Sequence, residues 1–348
     1  MVTIGVDPHK QTHTGVAADG LGTELAQRTV PARREGFGQL LEWGRTLDSE
    51  RVWVIEDVRH VSGGLERFLL DHGETVVRLP PQLMADARRG SRERGKSDPI
   101  DALAIARAAL REGVETLPTA RLAGPELEIR LLGVHRERLV GARTRMINEL
   151  RWQLHDLWPE WELPPNALIR PVWQAKISRR LARAERCVRV QIARDMIRRV
   201  RELTQTIADL RDQLAGLVAQ TAPQLLAERG MGGLLAAKFI GEIAGVSRFQ
   251  TDAQLARLAG CAPIPVSSGR TDRHRLDPGG NRQLNHAFHM LAVVKIRHDP
   301  PAAVYIAKQR AAGKTNKEAI RCLKRQLVRR VYHLLKDPNS IATIVCLT

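Results

Sequence analysis

VTIGVDPHKQTHTGVAAD, Val2 to Asp19, is the stretch whose reading decides the fold. Val2 to Gly5 lead straight into Val6 and Asp7, and a second β-prone run, Thr12 to Ala18, follows a polar tight turn. This pattern predicts a hairpin at the centre of a sheet, with Asp7 at the end of the first strand. A carboxylate at a buried strand end is costly unless something compensates it. A divalent cation is one compensation and a turn hydrogen bond is another. The choice between them depends on whether the chain supplies partner carboxylates.

Outward from the hairpin, residues 1 to about 115 read as α/β. Glu24 to Val30 is a candidate third strand, and Glu35 to Leu47 has helical spacing. Arg51 to Glu56 (RVWVIE) is a short buried strand ending in an acid. Gly63 to His72 reads as a helix and Thr75 to Leu79 as another strand. Pro80-Pro81 breaks the chain, a basic loop runs from Arg88 to Lys96, and a helix is expected from about Pro99 to Glu112. Strands first and alternating βα units next suggest a mixed sheet flanked by helices.

From about residue 125 to 220 the pattern is helical. Leu132, Leu139, Ala142, Met146, Leu150, Leu154 and Leu157 form a stripe with spacings of three, four and, at its start, seven. After a break between Trp158 and Trp173, Val200, Leu203, Ile207, Leu210, Leu214 and Leu217 repeat every 3.5 residues, the period of a coiled-coil seam. Lys176 to Arg201 holds ten basic residues and two acidic ones, which reads as a solvated face or as a phosphate-tracking surface. Beyond residue 222 the chain is mostly helical. It includes a Gly-x-Gly turn in GMGGLL and a Gly-, Pro- and polar-rich loop or short hairpin from Gly260 to Asn285. A basic amphipathic helix from Asn316 to Leu335 follows. The predicted domains are 1-120, 121-221 and 222-348.

Composition narrows the function classes. The 348 residues suffice for two or three domains. Lys and Arg number 55 against 38 Asp and Glu, a net charge of +17 that attracts polyanions, nucleic acid first among them. No apolar run approaches the ~20 residues needed to span a bilayer. The four cysteines are scattered with no Cys-x-x-Cys pair, which argues against a zinc site or a disulfide framework. With no signal-peptide pattern at the start, these features predict a cytoplasmic protein.

The chain does supply further acids. Glu56 ends the later buried strand, with Asp57 beside it as an alternative. Asp98 and Asp101 in KSDPIDALAIARA stand three apart, on one face of a helix. Hard oxygen ligands from several elements suit Mg²⁺. Helix capping also accounts for the last pair: Asp98 before Pro99 reads as an N-cap, and Asp101 then falls at N3, where the helix dipole favours an acid.

GVDPHK, the strand-final acid of VIED and KSDPIDA together resemble the N-terminal domain of DEDD-type transposases of the IS-one-ten insertion-sequence family, related to the Piv DNA invertases. SSG within GCAPIPVSSGRTDRHRLDPGGNRQL resembles that family's C-terminal, serine-bearing domain. The resemblance implies a RuvC-like, RNase H-type first domain, and the coiled-coil middle and mostly α-helical third domain read from the residues fit it. It implies Asp7, Glu56, Asp98 and Asp101 as ligands of Mg²⁺, two ions per site, with Mn²⁺ as a substitute. It also implies Ser268 as nucleophile, with Ser267 as the alternate, and a guide RNA from the same element that chooses donor and target DNA.

The expected activity is Mg²⁺-dependent DNA strand exchange through a phosphoserine, by a homo-oligomer (dimer or tetramer). Lys96, Arg270, Arg273 and Arg275 are candidate nucleic-acid contacts, and His9, His13 and His274 candidate helpers. One alternative is a RuvC-like junction nuclease that cleaves with water and keeps the serine as a structural residue. Others are a sugar-kinase or actin-like ATPase, for which the middle of the chain lacks a second Gly-rich phosphate hairpin, and a non-catalytic nucleic-acid scaffold.

Overall fold

Strand β1 (Val2–Pro8) is the middle of a five-stranded sheet. The computed structural model describes residues 1–56, 59–79, 97–117, 119, 124–268, 271–275 and 280–337. Antiparallel to β1 runs β2 (Thr12–Ala18), in the register Asp7↔Thr14 and Pro8↔His13, and β3 (Glu24–Pro31) pairs antiparallel with β2. On the other side β4 (Arg51–Glu56) runs parallel to β1, and β5 (Val76–Leu79) runs parallel to β4. The order is β3-β2-β1-β4-β5, so the expected central hairpin and mixed sheet are present.

Alternation along the strands sorts side chains between two helical layers. Val2, Ile4 and Val6 of β1, with Trp53 and Ile55 of β4, pack against Leu40 and Leu41 of α1 (Arg34–Leu47) and Leu65 and Leu69 of α2 (Arg59–Asp71). The opposite face carries Thr3, Gly5 and Asp7 of β1 and Val54 and Glu56 of β4. It is covered by α3 (Asp98–Glu112), whose Ala102, Ile105, Ala106 and Ala109 are buried. The sheet therefore lies between two layers of helix. At the β3-distant edge, Glu74 ties the α2–β5 turn to β4: Arg51 Nε donates at 2.7 Å and Trp53 Nε1 at 2.9 Å.

Two element boundaries differ from the sequence reading. Helix α2 begins at Arg59, four residues before the expected Gly63. Helix α3 begins at Asp98 with Ser97 as its N-cap, so Asp98 lies inside the first turn and is not the cap. The Pro80-Pro81 break, the basic loop Arg88 to Lys96 and Asp57 lie outside the described residues.

The chain divides into two compact units, one formed mainly by Met1–Ala123 with Gly245–Leu258, the other by Gly124–Ala244 and most of the chain after Leu258. The second unit is built on two long helices, α4 (Pro125–Leu157) and α6 (Val188–Thr221), with α5 (Pro171–Arg183) packed on them. Arg143 Nη1 donates to Thr204 Oγ1 at 3.4 Å, and Asp156 pairs with Arg189 at 2.6 Å. Advancing along α4 thus retreats along α6, and the pair is antiparallel.

The heptad stripe of α6 is only half used. Val200, Ile207 and Leu214 are buried with Val218, whereas Leu203, Leu210 and Leu217 remain half-exposed. On α4 the buried residues are Ile129, Ile147, Leu150 and Leu154, while Leu132, Leu139 and Met146 are half-exposed. The expected break after Trp158 is shorter than the sequence suggests, because a 3₁₀ turn at Ala167–Ile169 leads into α5 at Pro171.

The rest of this unit comprises α7 (Pro223–Ala227), α8 (Gly233–Ile243), α10 (Arg282–His298), α11 (Pro300–Ala311) and α12 (Asn316–Lys336). The short α9 (Asp252–Leu258) belongs to the first unit. A buried charge network joins α10 and α12 to the α7–α8 turn. Glu228 accepts from Lys295 Nζ at 2.6 Å and from Arg330 Nε at 3.0 Å. Between α9 and α10 the expected short hairpin forms from β6 (Ile264–Ser268) and β7 (Thr271–Arg275). Among the described residues no helix is long and apolar enough to cross a membrane.

Candidate active site

Gly5 brings α3 onto the sheet. A Cβ on Gly5 would lie 2.1 Å from the Ala102 carbonyl oxygen and 2.6 Å from the Ala106 nitrogen, so only a residue without one lets the helix sit here. Asp7, two residues further along the same face, then meets the first turn of α3. That turn carries Asp98, half-buried, and Asp101, buried. Asp7 itself is 5% exposed.

Glu56 is placed by register. The parallel pairing of β1 and β4 runs to Val6↔Ile55, and the next residue on each strand is Asp7 and Glu56, both directed to the α3 face. Glu56 is also paired in register with Leu79 of β5 and is half-buried. Three elements thus converge on one end of the sheet, two by strand-final acids and one by a helix N-terminal turn.

His9 completes the group. Its Nε2 lies 3.1 Å from Asp7 Oδ2 and 3.3 Å from Asp98 Oδ1, and its ring is about half exposed. One ligand atom each from Asp7, His9 and Asp98 lie within 4.8 Å of one another. The sequence reading placed His9 only among generic helpers. The signal that locates it is its spacing: it follows Asp7 by two residues, and pairing of Pro8 with His13 holds the backbone extended up to it.

Burial pushes the Asp7 carboxyl above its usual range; His9 pulls it down, and Asp101 and Asp98 push it up again. Crowded carboxylates on a buried strand end favour a bound cation. The donor set of hard carboxylate oxygens with one imidazole fits a divalent metal ion.

His13, by contrast, is a core residue. It is 1% exposed and stacks on Phe37 of α1 with ring centroids 5.5 Å apart, on the sheet face opposite Asp7. Burial lowers its pKa to about 4.

The serine motif lies in the second unit. Ser267 and Ser268 are the last two residues of β6, in register with Asp272 and Thr271. The two strands are joined by two residues, Gly269 and Arg270, a length that suits a tight hairpin. Arg273 pairs in register with Val266, and His274 and Arg275 are exposed on β7. Lys96 and Arg270 lie outside the described residues.

Known proteins match the chain along most of its length. A family model described as Transposase matches residues 4–159, and a second, Transposase IS116/IS110/IS902 family, matches residues 219–307. The insertion element IS116 uncharacterized 44.8 kDa protein of Streptomyces clavuligerus is 27% identical over 97% of this chain and 95% of its own length. The insertion element IS900 uncharacterized 42 kDa protein of Mycobacterium paratuberculosis is 25% identical over 97% of this chain and 96% of its own. The insertion element IS110 uncharacterized 43.6 kDa protein of Streptomyces coelicolor is 36% identical over 33% of this chain and 29% of its own. Among solved structures, T. thermophilus RuvC in complex with Holliday junction substrate aligns at 18% identity over 34% of this chain and 99% of that chain, with a TM-score of 0.27. The first family model spans the acid-bearing sheet and α3, the second spans the serine hairpin, and they occur in that order. The chain belongs to the IS116/IS110/IS902 family of insertion-element transposases, enzymes that recombine DNA.

Proposed function

We propose that this transposase exchanges DNA strands through a serine-linked intermediate, with a RuvC-like, RNase H-type first domain as its metal-binding half. The observation that carries the metal half is the convergence of Asp7 and Asp98 on His9, with Glu56 one register step away and Asp101 in the same helical turn as Asp98. The four acids would hold Mg²⁺, as two ions, with Mn²⁺ as a substitute. A bound divalent cation supplies charge neutralisation at a scissile phosphate and acidifies a nearby hydroxyl.

The chain's own residues do the rest. Ser268 Oγ, with Ser267 as the alternate, attacks the phosphorus and gives up its proton. The bond from phosphorus to the 3′ oxygen breaks, leaving a 3′-hydroxyl and a 5′-phosphoserine. The 3′-hydroxyl of a partner strand then attacks the phosphoserine, and the serine hydroxyl is restored. One phosphodiester replaces another, so no nucleotide is consumed. Lys96, Arg270, Arg273 and Arg275 neutralise backbone phosphates. An RNA from the same element, implied by the family resemblance alone, selects the DNA sites. Leu203, Leu210 and Leu217, half-exposed and seven apart on α6, support a homo-oligomer joined through a coiled coil. In this reading the roles divide over residues 1-120, 121-221 and 222-348, in a cytoplasmic enzyme.

A denaturing gel tests the reading. The chain is incubated with Mg²⁺, labelled DNA from the ends of its own element and RNA transcribed from the flanks. A labelled band at protein mass that disappears in Ser268→Ala is the expected result. Released DNA ends with no protein attached identify a water-using nuclease and reject the phosphoserine.

A further inference from the structure

The serine hairpin is bracketed by two glycines in contact. A Cβ on Gly280 would lie 2.0 Å from the nitrogen of Gly260 and 2.3 Å from its Cα, so the two backbones touch. Gly260 is also in the left-handed region, at φ +60. In the chain, β6 and β7 lie between these two glycines, so the neck brackets the hairpin.

One side chain grips the neck. Asn285, in the first turns of α10, donates from Nδ2 to the carbonyl of Ala259 and to that of Gly260, each at 2.9 Å. Its Oδ1 accepts from Lys324 Nζ of α12 at 2.7 Å. Two carbonyls on one end and an ammonium on the other leave the amide a single orientation, because a flip would set donors against the lysine. Lys324 is 5% exposed. Burial lowers its pKa and the neighbouring Cys261 raises it. Next to Asn285, Asn281 caps α10 by accepting from the N–H groups of Gln283 and Leu284, and it donates to Glu242 Oε2 at 2.8 Å. The first turns of α10 are therefore fixed to the neck, to α12 and to α8.

Burying an ammonium to hold a neutral amide is costly, and an apolar residue at that place would avoid the cost. What the arrangement secures is orientation. A five-residue strand is ~16 Å long, so a tilt of roughly 10° at its base moves the far end by about 3 Å. Misplacement of a reacting group by about 1 Å is enough to cost ~10²-fold in rate.

We propose that Asn285 and Lys324 are positioning residues for strand exchange: they set the angle at which the Gly260–Gly280 neck presents the serine hairpin. The proposal rests on the reading of Ser268 as nucleophile. Asn285→Asp separates the contacts, since it keeps an acceptor for Lys324 and loses both donors to the carbonyls. Lys324→Met keeps an unbranched apolar stem and removes the ammonium.

The test uses the full chain with its element-end DNA, RNA and Mg²⁺. It measures DNA joining at saturating DNA, the DNA concentration for half-maximal rate, the Tm, and amide hydrogen exchange across residues 264–275. Asn285→Asp and Lys324→Met are expected to slow joining at saturation at least tenfold and to speed exchange in the hairpin severalfold. The half-saturating DNA concentration is expected to stay within about twofold, and the Tm within a few degrees, of wild type. Wild-type joining with unchanged hairpin exchange in both variants overturns the proposal. Ser268→Ala, run alongside, separates the two readings. If Ser268→Ala joins DNA at the wild-type rate, the serine reading fails and the proposal with it; if Ser268→Ala is inactive while Asn285→Asp and Lys324→Met join normally with unchanged hairpin exchange, the positioning role alone fails.

Discussion

Gly5 of β1 and Ala102 of α3 meet backbone to backbone, at a separation where a Cβ on Gly5 would lie 2.1 Å from the Ala102 carbonyl oxygen. The contact sets the distance of the whole helix from the sheet, and with it the approach of Asp98 and Asp101 to Asp7. Gly5→Ala must push α3 outward. It is expected to cost about 1–3 kcal/mol of stability, the usual penalty for overpacking, and to abolish DNA joining. Urea unfolding and the joining assay check both effects. A Gly5→Ala enzyme with wild-type stability and rate would show that α3 does not depend on this contact.

Asp7 is held at a buried strand end among other acids, and burial first of all raises its pKa. Between the ordinary carboxyl value of 3.8 and the raised folded value, the native state holds more protons than the unfolded chain. Stability therefore falls as pH rises through that window, and the deficit persists at neutral pH. Asp7→Asn is expected to melt at a higher temperature than wild type in EDTA. Adding Mg²⁺ should raise the Tm of wild type and leave that of the variant unchanged, because only a protein that binds the ion gains from mass action. Equal Mg²⁺ responses in the two proteins would remove Asp7 from the metal site.

His13 titrates in the opposite sense. Burial lowers its pKa from 6.5 to about 4. Between these values the unfolded chain binds the proton and the native state does not, so stability is lost as pH falls from about 6.5 toward 4. The loss amounts to about 3 kcal/mol over that span. Unfolding free energies at pH 7 and pH 4.5 should diverge in wild type by more than in His13→Leu. Parallel pH dependence in the two proteins would show that His13 is not the group responsible.

Glu74 is 7% exposed and accepts from Arg51 and from the Trp53 indole. Burial pushes its carboxyl up, but the hydrogen bonds from Arg51 and Trp53 outweigh it and the pKa lies below the ordinary value. Glu74→Ala strands Arg51 and the indole in a largely dry site. The expected loss is about 3–5 kcal/mol, with the active-site end of the sheet still folded at low temperature. Denaturant midpoints and divalent-ion binding by calorimetry test the two parts separately. A loss well under 1 kcal/mol would mean that water replaces the carboxylate at no cost.

Much of the first unit is readable from residue order because its elements obey local rules. Val2 to Asp7 and Thr12 to Ala18 are separated by a turn too short for anything but an antiparallel return. RVWVIE is apolar on both faces, as a strand covered on both sides must be. Acids at two strand ends and in one helical turn stand out in a basic chain. The family-model matches agree with that reading at the level of the family.

Other features depend on which surfaces meet. A stripe of leucines on α6 announces a buried seam, but heptad spacing does not say how far the helix is rotated. The partners in this unit bury Val200, Ile207, Leu214 and Val218 and leave Leu203, Leu210 and Leu217 half-exposed. Asp98 before Pro99 satisfies a capping rule, yet the helix starts one residue earlier than that rule implies, and the carboxylate meets His9.

The sequence by itself determined the alternation of apolar residues, the turns and the order of the acids. These are properties of neighbours along the chain, set by backbone sterics and by the periods of strand and helix. Only the tertiary structure decided that Gly5 faces Ala102, that His9 sits between Asp7 and Asp98, and that Asn285 and Lys324 grip the Gly260–Gly280 neck. Apart from His9 and Asp7, which stand two residues apart, each of those contacts joins residues brought together by packing, where burial and hydrogen-bond satisfaction are settled by the whole fold and leave no periodic mark in the sequence.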